Sequence, residues 1–159
     1  MKKINSAGLA LMLVATLACA QVPRAFRPAQ LRDFPVGTAE IQRAQGRDSL
    51  QIWIADTESR QEQGLMWIRD LPPDYGMIFP LNPPRVMNMW MKNTYVSLDM
   101  LFYDSNGRIT HIAEHATPLS EDIISSDGVV AGVLEMLGGE VARRDIKVGD
   151  RVVVHERGN

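Results

Sequence analysis

Residues 98–114 read LDMLFYDSNGRITHIAE, and this stretch decides the fold class. From Leu98 to Tyr103 every residue except Asp99 is apolar or aromatic. Asp104-Ser105-Asn106-Gly107 follows, and an Asn-Gly pair supplies the positive φ angles of a tight hairpin turn. Residues 108–114 then read as the returning strand. Working outward, Leu50, Ile52 and Ile54 alternate with Gln51, Trp53 and Ala55, which is the period of a strand. Ile41 lies on an earlier run, and Gln45-Gly46-Arg47 reads as the turn joining the two. Runs at 77–79, 86–91, 129–137 and 151–155 bring the expectation to about eight strands. Asp56 or Thr57 can cap a short helix ending at Gly64, and a second short helix is predicted near 140–144. The expected fold is mainly β: a compact single-domain β-sandwich or barrel-like fold with two short helices.

The chain has 159 residues, 17 Lys+Arg against 19 Asp+Glu, and is 45% hydrophobic and 23% charged. That balance excludes a disordered chain and a polytopic helical membrane protein. A net charge of -2 gives no electrostatic reason to expect nucleic acid as a partner. Met1-Lys2-Lys3 precedes an apolar and small-residue run at 7–18, shorter than the about 20 residues a spanning helix needs. The run closes on Ala18-Cys19-Ala20, a small-x-small cleavage pattern. The organisation predicted is a signal peptide at 1–20, a flexible linker at 21–36 and a β-rich domain at 37–159. The mature chain would carry no transmembrane helix and would be exported, either periplasmic or secreted. Cys19, the single cysteine, offers the alternative of a lipid-anchored form. In either case the domain has no disulfide and must be held by its hydrophobic core.

Several segments together resemble the domain of unknown function 192 family. They are Gln63-Gly64-Leu65-Met66, Gly76-Met77-Ile78-Phe79, Trp90-Met91-Lys92-Asn93-Thr94, and Ser97-Leu98-Asp99 with Phe102. Val133-Leu134-Glu135 and Val148-Gly149-Asp150-Arg151-Val152 fit its closing segment. The likeness spans residues 38–155, and Gln63 departs from it where the family often has arginine. The resemblance implies a compact, mostly β domain, often exported, and implies no reaction.

Candidate chemistry is sparse. His111 and His115 would bind one metal from a helix, but four residues along a strand separate them by about 13 Å, so no metal or cofactor is expected from them. Met87, Met89 and Met91 alternate, so a strand would aim three thioethers to one side. That arrangement suits Cu(I) and equally suits a buried apolar face. No nucleophile elbow or phosphate loop is present, and Ser125-Ser126 reads as a turn. Asp99 and Glu135 both fall on strand faces that look apolar, where an unpaired charge is costly. Lys92 is the nearest candidate cation, and Asn93 and Thr94 can hydrogen-bond the same carboxylates. The expectation is that Lys92, Asn93, Thr94, Asp99 and Glu135, with Trp90 at the rim, line the main polar site. A non-catalytic binding or accessory module of the cell envelope is favoured, taking a small polar ligand, a peptide or an envelope component. The alternatives are an envelope enzyme using Asp99 and Glu135 in acid–base chemistry, and a Cu(I)-binding protein.

Overall fold

The computed structural model describes residues 26–156. The expected signal peptide, Cys19 and the first part of the linker lie outside the described residues. Seven strands form one curled sheet in the order β5-β4-β6-β3-β2-β1-β7. They are β1 Val36–Arg43, β2 Gly46–Ile54, β3 Tyr75–Met89, β4 Leu98–Tyr103, β5 Ile109–Ala116, β6 Ile124–Leu137 and β7 Arg151–Glu156. Only β2 and β3 run parallel, joined through the helix α1 Glu58–Gln63. The runs expected at 77–79 and 86–91 are one strand, β3, so the eight expected strands become seven. The step between them survives as an irregularity between Pro80 and Arg85 in the pairing with β6.

The sheet curls until its edges meet at one end. Ile109 donates its amide to Asp150, Gly149 to Ile109, and Val152 to Gly107. Gly107 has φ +76, and a Cβ there would run into the Val152 carbonyl, so the turn chosen by Asn106-Gly107 also lets β7 approach.

Both faces of the sheet are covered, which distinguishes this fold from a sheet with one wet side. Inside the curl pack Ile41, Leu50, Ile52, Ile78, Leu101 and Leu134, and the helix α2 Glu140–Arg144 closes the end with Val141 and, just after it, Ile146. Outside the curl a second core contains Trp53, Met77, Phe79, Met100, Phe102 and Val133. It is covered by the segment after α1, through Leu65, Ile68 and Leu71, and by the chain before β1. That preceding chain corrects the linker expectation. Leu31 and Phe34 are buried, Phe26 packs edge-on against Trp53 and Tyr75, and the Phe26 amide donates to the Tyr75 hydroxyl at 2.9 Å. Three arginines and three prolines in 21–36 mask two core residues, so composition misreads residues 26–36 as spacer.

Candidate functional site

The site is set by β6 and its two neighbours. Opposite Glu135 stand Met77 on β3 and Met100 on β4. Cross-strand partners share a face, so Glu135 belongs to the outer core with these two fully buried methionines. Its residue is 4% exposed, and neither neighbouring strand offers it a polar group. Among the described residues the Glu135 carboxyl makes no hydrogen bond or ion pair, and burial alone pushes its pKa from 4.5 to about 8. At neutral pH it is a carboxylic acid, able to donate as well as accept.

Glu135 forms the floor of a cavity of about 270 Å³. One wall comes from α1 and the turn after it. Thr57 caps that helix by accepting the Arg60 amide, and Gly64 ends it at φ +47. The chain can then turn at Gly64 in van der Waals range of the Phe79 ring, which places Leu65 and Met66 on the cavity. The opposite wall is the outer half of β3, with Met87 and Met89. Ser126 fixes that wall: its hydroxyl accepts the Met87 amide at 3.0 Å and donates to the Gly128 carbonyl at 2.6 Å, bridging the irregularity between Val86 and Asn88. Ser125 and Ser126 lie within β6 and hold a strand irregularity, which corrects the turn expected of them.

The mouth is polar and balanced. Glu58 and Glu62 face it from α1, Arg85 from β3 and Lys92 from the turn after β3. Lys92 is half-exposed, 4.0 Å from Glu121 and 6.0 Å from the Trp90 ring. Arg85 donates to the Gln61 side chain at 3.4 Å.

Of the six residues expected at the main polar site, Trp90, Lys92, Thr94 and Glu135 line this cavity. Asn93 shapes the turn behind it, at φ +55, with its carbonyl accepting the Trp67 amide and its side-chain amide 3.8 Å from the Met66 sulfur. The Thr94 hydroxyl donates to the Lys92 carbonyl at 3.3 Å and leaves both acids alone. Asp99 is separated from the group. Its cross-strand partner is Met136, one position past Glu135, and Met136 belongs to the inner core. The two carboxyl groups thus lie on opposite faces of the sheet, and the expected Lys92, Asp99 and Glu135 cluster is not formed. Asp99 is fully buried, and its oxygens accept the His115 amide at 2.8 Å and the Val141 amide at 2.9 Å, tying β5 and α2 to β4.

The methionine run is also divided. Met87 and Met89 reach the cavity, whereas Met91, beyond the end of β3, is buried in the outer core and does not line it. Met66, from the opposite wall, stands there instead. His111 packs against Phe102 and lies 3.6 Å from Asp127, while His115 takes φ +53 and gives its amide to Asp99. No cluster of three metal-ligating His, Cys, Asp or Glu side chains occurs among the described residues. The α1 wall, with Gln61, Leu65 and Met66, was not foreseen. The Gln-Gly-Leu-Met motif pointed to it as a family feature, without saying which strand it covers.

Comparison with known proteins fits this architecture. A structure from Sinorhizobium meliloti 1021, described as a candidate transcription regulator, is 43% identical and superposes with a TM-score of 0.74 over 76% of this chain and 95% of that one. A protein of unknown function from Novosphingobium aromaticivorans DSM 12444 is 32% identical, with a TM-score of 0.73 over 82% of this chain and 99% of that one. No curated protein matches the chain. Residues 40–154 match the family model DUF192, described as an uncharacterized ACR, and the chain belongs to that family.

Proposed function

We propose that this protein is an exported, non-catalytic binding domain whose receptor site is the cavity over Glu135. One observation carries the reading: a buried carboxyl with no partner among the described residues opens onto a cavity walled by Leu65, Met66, Phe79, Met87 and Met89. A polar group left unpaired in an apolar site costs free energy, and a ligand that hydrogen-bonds it recovers that cost. Small-molecule sites typically have this composition, an apolar wall with few convergent polar groups. The volume falls just under the usual range of about 300–1,000 Å³, which suits a compact ligand. Export rests on the basic start, the apolar run and Ala18-Cys19-Ala20. Nucleic acid is disfavoured by the net charge of -2 and by helices of only six and five residues among the described ones.

The test is a thermal-shift screen of small compounds against the native protein and Met87→Trp, which fills the cavity. Compounds that stabilise the native protein and not the variant support the reading; a screen without any such compound defeats it. N-terminal sequencing of the envelope fraction should begin at Gln21, a lipid-modified Cys19 would indicate the anchored form, and an intact Met1 in the cytosol would defeat export.

A second reading, acid catalysis, draws on the raised pKa of Glu135, the poise a general acid needs near neutrality. Its expected partner Asp99 lies on the other face, so any such chemistry uses one carboxyl.

A further inference from the structure

We infer that the cavity over Glu135 receives a small organic ammonium ion, the cationic head seated on the Glu135 carboxylate and the apolar tail against Phe79, Leu65 and Met89. This rests on the reading of the cavity as a ligand site and names the ligand's chemical class. Three features of the site select that class.

The first is the position of the carboxyl. Met77 and Met100 flank Glu135 within the sheet, so the cavity is the one side from which a partner can come. An ammonium group there makes charge-assisted hydrogen bonds, the strongest kind available to a carboxylate. The second is the charge balance of the surroundings. The ionisable groups facing the cavity are Glu58 and Glu62 from α1, Arg85 from β3, Lys92 from the following turn and Glu135 itself from β6. The two rim acids offset the two rim bases, and Lys92 and Arg85 already engage Glu121 and Gln61. The charge left over is the one on Glu135, negative when ionised. The third is the lining: the Phe79 ring and the thioethers of Met66, Met87 and Met89 accept a cation's field and its alkyl groups alike, and they offer an anion nothing.

Binding is then coupled to a proton. The empty site holds Glu135 as a neutral acid at pH 7, and the bound site holds a carboxylate against the ammonium. The Glu135 O–H bond breaks, its proton goes to the buffer, and no other bond changes. Ammonium affinity should therefore rise about tenfold per pH unit as pH climbs towards 8 and level off above it.

The experiment is calorimetric titration of the purified protein with n-butylammonium chloride, butan-1-ol and sodium butyrate. Titrations in buffers of different ionisation enthalpy count the protons released. The expected result is saturable binding of butylammonium in preference to both isosteres, with close to one proton released per ligand at pH 7 and almost none at pH 9.5. Glu135→Gln should lose both the preference and the release, and Glu135→Met serves as a second variant should Gln disturb folding. If butanol or butyrate binds as tightly, or if butylammonium binds without proton release, the ammonium inference is overturned while the cavity stands as a ligand site. If none of the three binds, the inference is likewise overturned, and the compound screen with Met87→Trp decides separately whether the cavity is a site at all.

Discussion

Asp99 and Glu135 sit on adjacent strands, one register position apart, and are both nearly inaccessible, yet they live in opposite circumstances. Asp99 faces the inner core and meets two backbone amides, from His115 and Val141. Glu135 faces the outer core and meets two methionines and a cavity. The first carboxyl group is satisfied by the fold and stabilises it; the second has no partner among the described residues. Burial of an acid by itself thus says little about role. What its neighbours can donate decides between scaffold and site.

The comparison is most directly broken at Asp99. Asp99→Ala strands the buried Val141 amide and the partly buried His115 amide; an unsatisfied buried amide costs about 1–3 kcal/mol, so a loss of about 3 kcal/mol is expected in urea unfolding. A neutral outcome would remove Asp99 from the scaffold. Next in size is the pH dependence of Glu135. Its folded pKa of about 8 lies above its ordinary 4.5, so between these values the folded state holds a proton that the unfolded state has released. Stability from this group is complete below pH 4.5, declines by at most about 1.4 kcal/mol per pH unit, and is spent above pH 8. The difference between the native protein and Glu135→Gln in urea midpoints, followed from pH 5 to 9, should show that decline, a few kcal/mol in total. A flat difference would mean that Glu135 is already ionised and paired.

Smaller effects sharpen the same contrast. Met89→Leu nearly conserves volume and should cost under about 1.5 kcal/mol. The unsubstituted protein titrated anaerobically with Cu(I) should show no tight site, and stoichiometric binding abolished by changes at Met66, Met87 and Met89 would make the cavity a thioether metal site instead. Lys92→Met should change stability by less than about 0.5 kcal/mol, because its pair with Glu121 is solvent-exposed. A loss of several kcal/mol would restore Lys92 as the partner of a buried acid.

The β class, both helices and the Asn106-Gly107 hairpin were legible in the sequence, and four of the six residues expected together line one cavity. Alternation along the two strands groups Asp99 with Leu101, and Glu135 with Val129, Ala131, Val133 and Leu137; for Leu101, Val133 and Leu137 the grouping holds. It misplaced the other two residues grouped with Glu135, because the step opposite Pro80 and Arg85 breaks the period of β6. Ala131 packs towards the inner core and Val129 is exposed. The larger error, bringing Asp99 and Glu135 together, has a simple origin. When both faces of a sheet are buried, as for every residue of β4, an apolar face carries no label, and a single step in register moves a side chain to the other side. The cover from the segment after α1 and from residues 26–34 was hidden for another reason: each contributes only a few core residues amid polar ones.

The placement of β6 carries a consequence for motion. Residues 132–136 are laddered on both sides, by β3 and β4, whereas Ile124 to Val130 pair with β3 alone. Amides in the doubly laddered half should exchange with solvent only through opening of the whole domain, and those of the short helix α1 through local fraying. A molecule seated on Glu135 would therefore rest on an anvil that does not yield and beneath a wall that breathes. In exchange measurements its arrival should register first as slowed exchange across α1, and at the floor only to the extent that it raises global stability.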